Sequence, residues 1–159
     1  RGVPRPIRRE DNTAVAHIIR SVLTEYGCTG PGYAIHDPEV DAMYEAYQLP
    51  RSQYFVMEKN DKVVGCGGVA PLKGGEHDTC ELQKLYVLPE YRGFGYGQLL
   101  FDQSLVAAKK EGFTLCYLET LPFMKTATAM YERAGFLHID GPMGATGHTS
   151  CDRWYVREL

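Results

Sequence analysis

No stretch of the 159 residues stays apolar for the roughly 20 positions needed to cross a bilayer, so the sequence offers no membrane anchor. The basic residues 1–9 are not followed by an apolar segment, which removes the pattern of a secretory signal. The chain starts at Arg1 rather than Met, so a targeting segment upstream stays open. Charge of one sign is scarce too. Seventeen basic against twenty acidic residues leave −3, which excludes the broad basic footprint of a nucleic-acid binder. The five cysteines (Cys28, Cys66, Cys80, Cys116, Cys151) form no CxxC pair and have no histidines at zinc spacing. Neither a disulfide framework nor a structural metal is indicated, and a reducing, cytoplasmic setting is expected. Walker A sequences, internal repeats and low-complexity tracts are also missing.

What is present suits one globular domain over residues 1–159, with 44% hydrophobic residues and enough length to bury a core. Residues 3–8 read as a short strand. Asp11 or Asn12 can then cap a helix carrying Val15, Ile18, Ile19, Val22, Leu23 and Tyr26 at helical spacing, with Gly27 as its stop. Asp37 followed by Pro38 predicts a second helix, with Val40, Met43, Tyr44 and Tyr47 as its stripe. Residues 53–58 and 62–70 read as a hairpin turning at Lys59-Asn60-Asp61. A further strand spans 79–88. From Gly95 the period becomes 3.6, with Gly97, Phe101, Ser104, Leu105 and Ala108 on one face and Gly112 at the end. A strand over 113–120 follows, then a short helix with Ala127, Met130, Tyr131 and Ala134 that Gly135 terminates, and strands near 136–139 and 153–157. The polar, glycine-containing segment 141–151 has the composition of a mobile, ligand-contacting loop.

Gly65-Cys66-Gly67-Gly68-Val69-Ala70 satisfies a dinucleotide fingerprint in form, but Pro71 and Gly74-Gly75 follow where a helix must open. Glycines thinning a strand so that another group can approach is the better reading. Arg92-Gly93-Phe94-Gly95-Tyr96-Gly97 differs, because it lies between a strand and a helix. Alternating glycines aim successive N–H groups into one concavity, the helix N-terminus adds positive partial charge, and Arg92 can add a charge-assisted bond, which together suit a pyrophosphate.

This segment, with Glu81-Leu-Gln-Lys-Leu-Tyr-Val ahead of it, resembles the acetyl-CoA-binding signature of the GNAT N-acetyltransferases. Arg92, Gly95 and Gly97 fall on its R/Q-x-x-G-x-G/A pattern, and the run from Ala127 through Tyr131 to Gly135-Phe136 resembles the helix and strand start beside the cofactor thiol. The resemblance implies a mixed α/β (α+β) fold. Its central sheet would be mostly antiparallel, with six to seven strands splayed in the middle and about four flanking helices. It implies acetyl-CoA as co-substrate, with no metal. The backbone of Leu85, Tyr86 and Val87 would pair with the pantetheine arm, and amides of Arg92, Gly93, Phe94, Gly95, Tyr96 and Gly97, with Gln98, would hold the pyrophosphate. Glu81 stands where several members carry a base, and Tyr131 would stand near the sulfur. Many members have Asn where this chain has Met124.

The chemistry fits these roles. A lysine-like amine, with a pKa of about 10.4, must lose a proton before it attacks, and burial would raise Glu81 toward that task, with Glu119 as alternative. A tyrosine, with a pKa of about 10, suits reprotonation of a thiolate. An acyl-cysteine route through Cys80 or Cys116 has no neighbouring cation or helix N-terminus to support it. His36 and His148 border the expected acceptor cleft as surface histidines without an assigned role. The expected activity is acetyl transfer from acetyl-CoA, by direct attack, to a primary amine of a small molecule or amino acid. A protein amine acceptor and a non-catalytic acyl-CoA sensor are the alternatives. Trp154 and Tyr155 on the last strand suit either a core or a homodimer interface.

Overall fold

The computed structural model describes residues 2–159, in the order β1 (Arg5–Pro6), α1 (Asn12–Glu25), α2 (Met43–Ala46), β2 (Gln53–Lys59), β3 (Lys62–Pro71), β4 (Thr79–Val87), α3 (Tyr96–Lys110), β5 (Leu115–Thr120), α4 (Lys125–Arg133), β6 (Leu137–Ile139) and β7 (Arg153–Glu158). The seven strands make one sheet, β1-β2-β3-β4-β5-β7-β6, in which only β4 and β5 run parallel. The mixed α/β reading holds, down to the strand count and the four α-helices. The hairpin turns on Asn60 and Asp61, whose φ values of 52° and 63° are those of a two-residue primed turn.

Helices α1, α3 and α4 stop at the glycines the sequence marks, and for one reason. In α4, Gly135 (φ 89°) lets its own N–H reach the Glu132 carbonyl at 3.0 Å and the Phe136 N–H reach the Tyr131 carbonyl at 3.0 Å, a Schellman closure. The second predicted helix is the main departure. Pro38–Asp41 form a 3-10 turn, Ala42 breaks the run at φ −140°, and α2 keeps only four residues. Asp37 does not cap it, because other groups take its carboxylate.

Each face of the sheet has its own core. On one, α3 and α4 pack Leu100, Phe101, Ala108 and Tyr131 over Leu82, Cys116 and Leu118. On the other, α1 and α2 pack Val15, Ile18, Ile19 and Met43 over Val56 and Cys66. A fully buried side chain of this kind contributes about 1.5–3 kcal/mol, so the two layers hold the sheet firmly.

The feature that positions the site is a β-bulge in β4. The register against β3 slips between Cys66 and Gly68, and Lys84 sits at φ 47°, unusual for a non-glycine residue. Gln83 and Lys84 consequently both face the α1 side, while Leu85 and Val87 turn to the α3 side. A Cβ on Gly67 would stand 2.6 Å from Leu85 Cδ1, so glycine makes room for the bulge. The bulge bends β4 away from β5. The two strands pair at Thr79↔Leu115, Cys80↔Cys116 and Glu81↔Tyr117 and then diverge, leaving β4 with a free edge.

Candidate active site

The divergence opens a cleft of about 680 Å³ through the middle of the sheet. At its mouth lies the glycine loop. Gly93 and Gly95 have φ 87° and 84°, and a Cβ on either would meet no atom within 4 Å. α3 begins at Tyr96, and the first N–H it satisfies from this region is that of Leu99, which bonds Gly95 O at 3.1 Å. Among the described residues the N–H groups of residues 93–98 meet no protein acceptor. A cradle of free amides at a helix N-terminus fits a pyrophosphate.

Of the residues predicted to bind the cofactor, Leu85, Tyr86, Val87, Arg92, Gly93, Gly95, Tyr96, Gly97 and Gln98 line this cleft. Phe94 does not; its ring is 66% exposed. The Arg92 side chain differs from its expected use. Its guanidinium holds both Glu25 oxygens at 2.8 Å and the Val87 carbonyl at 3.0 Å, and its N–H bonds Pro89, so it anchors the loop to α1 and β4. Met124 lies in the cleft wall at the start of α4.

Tyr131 also lines the cleft, wedged between the Phe101 and Phe136 rings at 5.7 and 6.1 Å. Burial raises its pKa, so the phenol keeps its proton at all working pH values.

Glu81 sits just behind the wall of the cleft and is 5% exposed. Burial pushes its carboxyl up to about 7, against the pull of the Gln83 amide, which donates to Oε1 at 2.8 Å. Gln83 is in turn fixed by the Tyr47 hydroxyl, which donates to its Oε1. Glu119 reaches the cleft directly and accepts from Tyr117 (2.7 Å) and Thr146 (2.8 Å). Ligating atoms of Glu81, Glu119 and His148 lie within 4.8 Å of one another.

His148 is the largest correction. Rather than a surface side chain, it is a clamp, with Nε2 at 2.8 Å from Asp37 and Nδ1 at 3.3 Å from Glu119. Those two carboxylates raise its pKa to about 9, so it is an imidazolium at neutral pH. Asp37 also takes the Lys84 ammonium at 2.6 Å, and Glu39 takes it at 3.2 Å. Burial opposes the charge on Lys84, but the two acids more than offset that and raise its pKa. The segment 141–151, expected to be mobile, is tied down by these contacts and by Ala145 N–H to Lys73 O (2.7 Å) and Ser150 N–H to Gly32 O (3.2 Å). His36, by contrast, meets only the Thr29 carbonyl, at 2.7 Å.

Sequence reasoning missed Lys84, Gln83 and the Asp37–His148 pair. The one signal was the charge of Lys84 itself, set between the apolar residues Leu82 and Leu85, which marks a residue in need of a partner without naming the partner or the bulge. Cys80 and Cys116 are fully buried and do not line the cleft. Cys80 and burial hold the Cys116 thiol well above its ordinary range, which leaves an acyl-cysteine route without a thiolate.

Comparison with known proteins agrees with this geometry. The profile of the acetyltransferase (GNAT) family matches residues 14–136. The N-acetyltransferase YjgM of Escherichia coli K12 is 47% identical over 99% of this chain and 95% of its own. A GNAT acetyltransferase of Staphylococcus aureus Mu50 superposes with a TM-score of 0.83 at 21% identity, covering 98% of each chain. The Salmonella typhimurium protein yncA, solved with acetyl-CoA, superposes at 0.73 with 20% identity, over 98% of this chain and 91% of its own.

Proposed function

Because this chain belongs to the GNAT acetyltransferase family and is an acyltransferase with acetyl-CoA as co-substrate, we propose that it is an N-acetyltransferase in which a primary amine of a small molecule or amino acid attacks the thioester directly. The observation that carries the reading is the pairing, across one cleft, of a free-amide cradle at residues 93–98 with a buried carboxyl, Glu81, poised near neutral pH. We read residues 1–159 as one catalytic domain.

Bound in this cleft, acetyl-CoA supplies an acetyl group activated as a thioester. The residues of the chain do the rest. Amides of residues 93–98 hold the pyrophosphate, and the free edge of β4 at Leu85, Tyr86 and Val87 aligns the pantetheine as an added strand. Glu81 takes the proton of the acceptor ammonium through water, since Glu119 and not Glu81 lines the cleft; with its carboxyl up to about 7, it is basic enough for this and still substantially ionised at neutral pH. As the C–N bond forms and the C–S bond breaks, the attacking nitrogen gives up its second proton and the thiolate gains one. The Tyr131 hydroxyl, held protonated, hydrogen-bonds the leaving sulfur and passes that proton on, so that it ends as the phenol again.

The test is thiol release from acetyl-CoA with an amine panel. Glu81→Gln is expected to lose about 10²- to 10⁴-fold in turnover, and Tyr131→Phe a comparable factor, with acetyl-CoA still bound. Full turnover in both variants refutes the assignment. Binding without thiol release by the unaltered chain favours a sensor domain instead.

A further inference from the structure

On the α1 side of the sheet, the face opposite α3 and α4, the cleft is walled by Val22, Leu23, Tyr26, Tyr33, Ala34 and Tyr86, which are apolar or aromatic. At its inner end Glu119 lines the wall, and behind it Asp37, Glu39 and Glu81 bring the carboxyl groups of this cluster to four, against two cations, Lys84 and His148. Both cations are spent: Lys84, 4% exposed in its side chain, lies on Asp37 and Glu39, and His148 spans Asp37 and Glu119. Arg92 is held by Glu25. Arg133, the remaining cation of the cleft wall, stands at the end of α4 on the opposite side, so among the described residues on the α1 side no cation is left over for a substrate carboxylate.

We propose that the acceptor is a small primary amine on an apolar, carboxylate-free body, so that α-amino acids are excluded. The inference rests on the transfer reading above and narrows it. The ammonium of such an acceptor meets Glu119 and the carboxyl groups behind it with opposite sign, and its body lies on the aromatic wall. An α-amino acid would bring its carboxylate to the same acids, with nothing to neutralise it, and like charges there are costly. A polypeptide acceptor is disfavoured by the mouth. The segments 28–37 and 141–151, which bring Tyr33, Ala34 and Cys151 to the cleft, are stitched to each other by Ser150 N–H to Gly32 O (3.2 Å), Ser150 Oγ to Pro31 O (2.5 Å) and the His148–Asp37 pair.

Matched pairs test this: phenethylamine against phenylalanine, and pentylamine against norleucine, read as kcat/KM for thiol release. Each amine is expected to exceed its amino acid by about 100-fold or more. Tyr33→Arg, which puts a cation on the wall, is expected to narrow the ratio by about tenfold through turnover of the amino acid. Amino acids turned over as well as their amines overturn the proposal while transfer stands. So does preferential acetylation of a lysine-containing peptide. If no amine, amino acid or peptide releases thiol although acetyl-CoA raises the unfolding temperature, the transfer reading falls with it.

Discussion

Gln83 offers a sharp handle on the base. Its Nε2 donates to Glu81 at 2.8 Å, and the Tyr47 hydroxyl, by occupying Gln83 Oε1, fixes which end of the amide faces the acid. The bond stabilises the ionised form of Glu81 and offsets part of the burial that holds the carboxyl near 7. A hydrogen bond to a charged acceptor contributes about 1.5–3 kcal/mol, which corresponds to about 1–2 pH units. Gln83→Met, of similar length but without the amide, should move Glu81 to about 8–9 and lower kcat/KM at neutral pH by about 5- to 50-fold, with the rate recovering as pH rises. The assay is kcat/KM from roughly pH 6 to 10 with one amine, whose own titration is common to both proteins and cancels in the comparison. The variant also leaves the Tyr47 hydroxyl without its acceptor, at a cost of about 1–3 kcal/mol in stability, so folding is checked at each pH. An acidic limb that stays within about 0.3 units of the parent refutes the link between Gln83 and the base.

Three further outcomes are expected. Glu81, with its folded-state pKa raised from 4.5 to about 7, contributes stability that is present below pH 4.5 and lost as pH rises through 7. Glu81→Gln should therefore be more stable than the parent by about 3 kcal/mol at alkaline pH and nearly equal to it in acid, read by denaturant unfolding. His148, raised from 6.5 to about 9, gives stability that is full below pH 6.5 and lost as pH rises through 9. After allowance for the solvent that reaches the ring, His148→Gln should cost about 1–2 kcal/mol at pH 6 and little above the imidazolium range, and a loss independent of pH contradicts the clamp. Gly95→Val forces a β-branched residue into φ 84° beside the free amides. It should weaken acetyl-CoA binding at least about tenfold by calorimetry at a stability cost of about 1–2 kcal/mol, and unchanged affinity contradicts the cradle.

Much of the fold is legible in the sequence because local rules act alone there. Gly27, Gly112 and Gly135 end helices where nothing else competes for the backbone, and Asn60-Asp61 turns a hairpin between two short apolar runs. The loop at Arg92 is legible for the same reason, being local from strand end to helix start. The site's electrostatics are not local. Asp37 reads as a helix cap because an Asp before Pro usually is one, yet Lys84 and His148, 47 and 111 residues away, claim its carboxylate and the helix shortens. The bulge at Lys84 is invisible to a period-two pattern, since it flips the second half of β4 and places Gln83 and Lys84 on one face. His148 reads as a surface residue in a small, polar segment until the fold brings Asp37 and Glu119 to either side of its ring. Arg92 lies on its motif, but its guanidinium answers to Glu25, a partner 67 positions earlier.

The central claim is that one cleft both holds acetyl-CoA at residues 93–98 and passes its acetyl group to an amine under the control of Glu81. The most direct test is a single-turnover experiment in which the protein, saturated with acetyl-CoA, is mixed with phenethylamine, and free thiol and acetylated amine are followed together by mass spectrometry. Equal amounts of both products, formed by the parent and abolished in Glu81→Gln without loss of acetyl-CoA binding, is the predicted result. Thiol released without acetylated amine, or equal transfer by the two proteins, contradicts it.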